Sequence, residues 1–146
     1  MKISRSTGYA LLAVGYIAKN QKKQGIVLSQ SIAKEYKIPL EYLLKILQQL
    51  VKANVLRSKR GPRGGFTLAK PPKKITMLQI VEAVDGPMVS QLNLKEQAPK
   101  EKFSTRSEQA YEKAIAQAKA VFEKAKLSKL LGVETGGTGS TGPRKK

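Results

Sequence analysis

The chain has 146 residues, 40% of them hydrophobic, which suits one compact domain with an additional helix and a tail rather than a disordered polycation. Lysine and arginine number 28 against 10 acidic residues, and the resulting formal charge of +18 repels itself unless a polyanion neutralises part of it, so nucleic acid is the first partner to consider. Cysteine and histidine are both absent, which excludes disulfides, thiolate zinc sites, cysteine-ligated iron-sulfur clusters, Ser-His and Cys-His nucleophiles and histidine proton shuttles.

No run of about 18 apolar residues is present, and Met1-Lys2-Ile3-Ser4-Arg5 leads into a mixed segment without a cleavage-site pattern. A cytoplasmic, nucleoid-associated protein with no membrane partner is expected. From Thr7 to Asn20 the chain is apolar nearly all round, with Tyr9, Leu12, Ala13, Tyr16 and Ile17 on one side and Ala10, Leu11, Val14 and Ala18 filling the rest. That pattern predicts a helix buried on most faces. Polar Asn20 to Gly25 breaks it, and Ile26-Val27-Leu28 resumes as a short apolar run, read as a strand. Ser29 is placed to cap a following helix through Ile32, Ala33 and Tyr36 by accepting from a free backbone N–H.

Lys37-Ile38-Pro39 interrupts that helix, because proline disfavours helical geometry in the residue before it yet is tolerated in a first turn. A second helix is expected from Pro39 to about Ala53. Leu43, Ile46, Leu47, Leu50 and Val51 recur along one side of it, while Glu41, Lys45, Gln48 and Lys52 step along another. Val55 to Arg60 and Phe66 to Ala69 read as two short strands around the turn Gly61-Pro62-Arg63-Gly64-Gly65. Thr76 and Gln79 form a capping box, stapled by Ile75 and Ile80, at the head of a helix from Met77 to Val84 that Asp85-Gly86-Pro87 stops.

Residues 88 to 104 lack a period and read as a loop. Thr105 and Glu108 suggest a second capping box, opening a long helix to about Leu131 with a stripe of Ala110, Tyr111, Ala114, Ile115, Ala118, Val121, Phe122 and Ala125; Gly132 is placed to end it. Glycine, threonine and serine then dominate up to Pro143-Arg144-Lys145-Lys146, the composition of a flexible basic tail. The expected organisation is 1–87 as a DNA-binding domain, 88–104 as a loop, 105–132 as a helix and 133–146 as a tail. Helix, turn, helix and a basic hairpin let the second helix enter a major groove while the hairpin reaches the neighbouring backbone or minor groove. The fold class expected is therefore mainly α with a small β-hairpin, a winged helix-turn-helix plus a long C-terminal helix.

Met1-Lys2-Ile3-Ser4-Arg5 with Gly8-Tyr9-Ala10, Ile32-Ala33, Tyr42-Leu43, Leu47, Leu50 and above all Arg60-Gly61-Pro62-Arg63-Gly64-Gly65-Phe66-Thr67-Leu68 resemble the bacterial Rrf-two family of winged-helix regulators. The resemblance covers residues 1 to 87 in motif and continues in helix order to about 131. It implies a homodimeric repressor on a palindromic operator, Arg60 in the minor groove, Glu41, Leu44 and Lys45 at base-reading positions and Tyr42 beside the backbone. Chemistry is compatible: arginine is drawn to a narrow minor groove, and Gly61 and Gly64 let the hairpin approach without a Cβ clash. Lys45 can donate to guanine, Gln48 or Gln49 can pair with adenine, and Glu41 can accept from cytosine. Gln49 as a solvated position and Leu44 as core packing are equally open. Arg57, Lys59 and Arg63 suit phosphate contacts, and Ser29 and Lys52 complete the candidate DNA-binding set.

The sequence departs from the resemblance where cluster-binding relatives carry three cysteines. The corresponding loop, Met88 to Ser104, offers Ser90, Gln91, Asn93, Glu96, Glu101 and Ser104 instead, so no cofactor or metal is expected. The apolar stripe of the last helix, Tyr111, Ala114, Ile115, Ala118, Val121, Phe122 and Ala125, suggests dimerisation, with folding back onto its own domain as the alternative. Nonspecific architectural DNA or RNA binding is the alternative function; an enzyme is not expected, since no paired carboxylates or phosphate-cradling motif stand out. A small-molecule effector, a protein effector or none are all compatible with the sequence.

Overall fold

The computed structural model describes residues 3–59, 61 and 64–132; the Arg60 and Arg63 candidates and the 133–146 tail lie outside the described residues. Helix α1 runs Arg5–Gln24, and its N-cap Ser4 accepts from the Thr7 backbone N–H at 3.2 Å. Thr7, Ala10, Ala13, Val14 and Ile17 form its buried face, whereas Leu12, expected inside, is 42% exposed. The break expected at Asn20 comes later, at Gly25, whose φ of 77° is costly for a residue with a Cβ. The polar last turn has a tertiary role that extends the helix: the Leu68 backbone N–H donates to Gln21 Oε1 at 2.9 Å.

Strand β1 (Val27–Leu28) leads directly into α2 (Ser29–Tyr36). Leu28, not Ser29, occupies the N-cap position, so the expected serine cap does not form. Lys37 takes a left-handed conformation (φ 56°, ψ 45°) that turns the chain sharply into Ile38 and Pro39, and α3 follows as Leu40–Lys52. Strands β2 (Leu56–Lys59) and β3 (Gly65–Leu68) pair antiparallel, with Leu56 opposite Leu68 and Lys59 opposite Gly65.

The sheet has three strands rather than a lone hairpin. Strand β1 adds to the far edge of β3 in the order β1-β3-β2, with Val27 opposite Phe66. This pairing explains Gly65: a Cβ there would lie 1.6 Å from Ile26 Cγ2, so only glycine lets β1 approach β3 this closely. Phe66, Val27 and Leu56, at 0 to 1% exposure, seal the sheet against the helical core of Ile17, Ile32, Leu43, Leu47 and Leu50.

A 3₁₀ turn (Pro72–Lys74) precedes α4 (Met77–Asp85), whose expected capping box is present: the Gln79 N–H donates to Thr76 Oγ1 at 3.2 Å and the Thr76 N–H to Gln79 Oε1 at 2.9 Å. The segment expected as loop carries a short helix, α5 (Leu94–Gln97), and the first turn of α6 (Lys102–Lys124). Thr105 and Glu108 therefore lie inside α6 and do not cap it. Glu108 is instead buried and accepts from the Lys95 backbone N–H at 2.8 Å, tying α5 to α6.

The long helix also ends earlier than its apolar pattern suggests. At Ala125 and Lys126 the chain forms an antiparallel bridge with Thr76, the Met77 N–H donating to the Ala125 carbonyl at 2.8 Å and the Leu127 N–H to the Ile75 carbonyl at 2.7 Å. These bonds replace the helix's own, and Leu127 enters the core at the head of α7 (Leu127–Leu130). Among the described residues no helix is long and apolar enough to cross a membrane.

Candidate nucleic-acid interface

The amphipathic pattern of α3 decides what this surface presents. Leu43, Ile46, Leu47 and Leu50 are buried, at no more than 1% exposure, and so fix the helix against α1 and α2. The same rotation leaves Glu41, Tyr42, Lys45, Gln48, Gln49 and Lys52 exposed. Pro39 occupies the N-cap position, and the Leu43 N–H donates to the Pro39 carbonyl at 2.9 Å, so Glu41, Tyr42 and Lys45 lie in the first turns, where a groove-inserted helix meets base edges.

Two candidates lie elsewhere. Leu44 is 8% exposed and packs in the core cluster, the placement its packing reading describes. Ser29 is 1% exposed and its hydroxyl has no hydrogen-bond partner among the described residues, so its side chain is not offered at the surface. Strand β1 draws both Leu28 and Ser29 toward the hairpin, where the Ser29 N–H faces the Gly64 carbonyl at 3.5 Å; the sequence suggested a strand at Ile26 to Leu28 but not its pairing with β3.

On the hairpin, Arg57 and Lys59 are exposed and sit on the same strand two residues apart, hence on one face. The turn is held by Ser58, whose hydroxyl donates to the Gly61 carbonyl at 2.9 Å, and by the Gly64 N–H, which donates to the same carbonyl at 3.1 Å. Gly61 is exposed and Gly64 half-buried. Lys45, Lys52, Arg57 and Lys59 give the α3 and hairpin surfaces their cationic character.

Sequence reasoning missed the brace at the start of α3. Tyr42 meets the Ser6 hydroxyl through its phenol, and its ring stands edge-on to Tyr9 with centroids 5.6 Å apart. The start of α1 is itself held by Asp85 at the end of α4. Ser4 Oγ donates to Oδ1 at 2.6 Å, while the Ser4 N–H and Thr7 Oγ1 donate to Oδ2 at 3.2 and 2.8 Å. Burial pushes the Asp85 carboxyl upward, but the hydrogen bonds from Ser4 and Thr7 outweigh it and hold its pKa below the ordinary value. These partners are 81 and 78 residues apart, and no local motif announces them.

The C-terminal stripe divides between two faces. Ile115 is buried within this chain, with Tyr111, Ala118, Phe122 and Ala125 half-buried, whereas Ala114 is exposed and Val121 is 65% exposed alongside Phe103 at 79%. Part of the stripe thus folds back on its own domain and the rest faces outward.

The 88–104 segment does not fit an iron-sulfur group. It has no thiol, and its carboxylates are engaged locally: Glu96 accepts from Asn93 Nδ2 at 2.6 Å and Glu101 from Ser104 Oγ at 3.4 Å. Among the described residues no three His, Cys, Asp or Glu side chains gather as a metal site.

The chain is 45% identical over 82 residues to a protein of Aquifex aeolicus named as a helix-turn-helix-type transcriptional regulator, the alignment covering 56% of each chain. It is 35% identical over 86 residues to the transcriptional regulator IscR of Cereibacter sphaeroides, covering 58% of this chain and 56% of that one. The chain thus spans about half the length of the curated relatives it matches. The solved structure of CymR, the global cysteine regulator of Bacillus subtilis, superposes with a TM-score of 0.75 at 26% identity, over 90% of this chain and 97% of that one. The sequence profile of the family Rrf2, described as iron-dependent transcriptional regulator, matches residues 3–132. With the winged fold, the exposed face of α3 and this match in hand, the chain belongs to the Rrf2 family of transcriptional regulators.

Proposed function

We propose that the protein is a sequence-specific, DNA-binding transcription repressor that occupies a palindromic operator as a homodimer and acts without an iron-sulfur cluster. The observation that carries this reading is the exposed polar face of α3, Glu41, Lys45, Gln48, Gln49 and Lys52, presented beside a hairpin bearing exposed Arg57 and Lys59. In this reading Lys45 donates to guanine, Gln48 or Gln49 pairs with adenine, Glu41 accepts from cytosine, and Arg57 and Lys59 hold phosphates. Tyr42, braced by Ser6 and Tyr9, contacts the backbone beside them. Arg60 is assigned the minor groove and Arg63 a phosphate.

Residues 1–87 serve as the DNA-binding unit and 105–132 as the dimerisation helix, with Ala114 and Val121 facing the second subunit. The protein works in the cytoplasm on chromosomal DNA. Fluorescence anisotropy with genomic duplexes at about 150 mM salt tests the central claim, the expected outcome being at least one site bound far above random DNA. Equal affinity for every duplex sinks sequence specificity. The +18 charge favours that second reading, a nonspecific nucleic-acid binder, which predicts a steep salt dependence with no preferred site. In either reading, Arg60→Ala with Arg63→Ala lowers duplex affinity and the salt slope; unchanged binding removes the hairpin from the interface.

A further inference from the structure

A cavity of about 340 Å³ lies where the start of α1, the end of α4, the segment after it and α6 converge. Its volume is within the range of small-molecule sites, which begins at about 300 Å³. Val81, Met88, Ile115 and Phe122 supply apolar walls, and Tyr111 and Gln91 supply polar edges. In a chain of net charge +18, the only lining group charged at neutral pH among the described residues is an acid, Asp85. Among the described lining residues an anionic guest meets a carboxylate and no compensating cation, whereas an ammonium gains a charge-assisted bond.

Asp85 has room for one. Its ionised carboxylate offers about four acceptor positions, and Ser4 N, Ser4 Oγ and Thr7 Oγ1 take three of them. The same carboxylate holds the start of α1, and from there Ser6 and Tyr9 reach Tyr42 on α3. Cavity and α3 thus share a short chain of direct contacts.

We propose that this cavity is an effector site for a small apolar amine, with an aromatic or branched hydrocarbon body among Val81, Ile115 and Phe122 and its ammonium on Asp85, and that occupancy is transmitted through Ser4, Ser6 and Tyr42 to the start of α3. The consequence for DNA binding rests on the proposed role of α3; amine binding does not. The test is therefore made on the full chain without DNA, by methyl and aromatic NMR with phenethylamine and, as its size-matched anion, phenylacetate.

Phenethylamine is expected to shift the Val81 and Ile115 methyls and the Tyr42 ring along one saturation curve, with phenylacetate binding at least ten-fold more weakly. Val89→Trp, at a rim position 56% exposed, is expected to reduce phenethylamine affinity at least ten-fold without unfolding the chain. Asp85→Asn is expected to abolish the preference for amine over acid. Equal binding of both probes, no saturable binding, or unaltered affinity in Val89→Trp overturns the site. Movement of Ile115 with a stationary Tyr42 overturns the link to α3. Failure of duplex recognition in the separate anisotropy experiment leaves each of these results readable.

Discussion

Helices α3 and α6 are both amphipathic, yet they stand in different relations to the rest of the chain. Of the 13 residues of α3, five are buried and all five are leucine or isoleucine, so the helix is anchored by its own chain and its polar face is carried rigidly. Of the 23 residues of α6, three are buried and two of those are polar, Ser104 and Glu108, so burial within one chain does not account for its length. The contrast teaches that a helix can be specified by two different coverings. One is supplied by the fold and the other, in the proposed reading, by a second copy.

The largest expected effect tests the first half of this contrast. Leu47→Ala, at 0% exposure beneath the polar face of α3, is expected to destabilise the fold by about 2–5 kcal/mol through lost burial and a residual cavity. Denaturant unfolding reads it directly, and a loss below about 1 kcal/mol would mean that α3 is not anchored as described.

The second half is tested at the exposed side of α6. Phe103→Asp with Val121→Asp is expected to move the sedimenting species from twice the 16.0 kDa chain mass to the single chain. Secondary structure should persist in that variant, since both positions are solvent-facing in the single chain. An unchanged mass locates the partner surface elsewhere.

Lys45→Ala sharpens the comparison without touching either covering. It is expected to cost about 1–3 kcal/mol at a preferred operator and to relax discrimination at one base pair, while stability stays within about 0.5 kcal/mol. A uniform loss across all duplexes would instead make Lys45 a phosphate contact.

The smallest effect concerns Asp85, which joins the two regions. Its folded pKa lies below its unfolded one, so its contribution to stability is present above about pH 4 and is lost as pH falls through the folded value. Asp85→Asn is thus expected to narrow its stability gap from the parent chain as the pH is lowered past about 4. A gap that is constant with pH would show that the carboxylate's charge is not what holds Ser4 and Thr7. The exposure of Asp85 keeps the whole effect small.

Much of the fold was legible because its signals are local. The α3 period, the Thr76 and Gln79 capping box and the turn at Gly61 to Gly65 each depend on residues within a few positions of one another. The outward face of α3 was read from the same period. Where the reading failed, a distant partner intervened. Ser29 looked like a cap until β1 joined the sheet, Thr105 and Glu108 looked like a helix start until α5 claimed Glu108, and the long helix broke at Ala125 because the Thr76 segment supplied competing backbone bonds.

By itself the sequence determined the charge, the absence of thiol and imidazole chemistry, the order of helices and hairpin, and which side of α3 is polar. These follow from composition and from periodicities that each segment carries within itself. Tertiary structure alone decided that β1 pairs with β3 and carries Ser29 to their junction, that Tyr42 is braced from α1, and that Asp85 ties α1 to α4 across 81 residues. The physical reason is that hydrogen-bond and packing partners far apart in the chain leave no period to read; only the folded path brings them together.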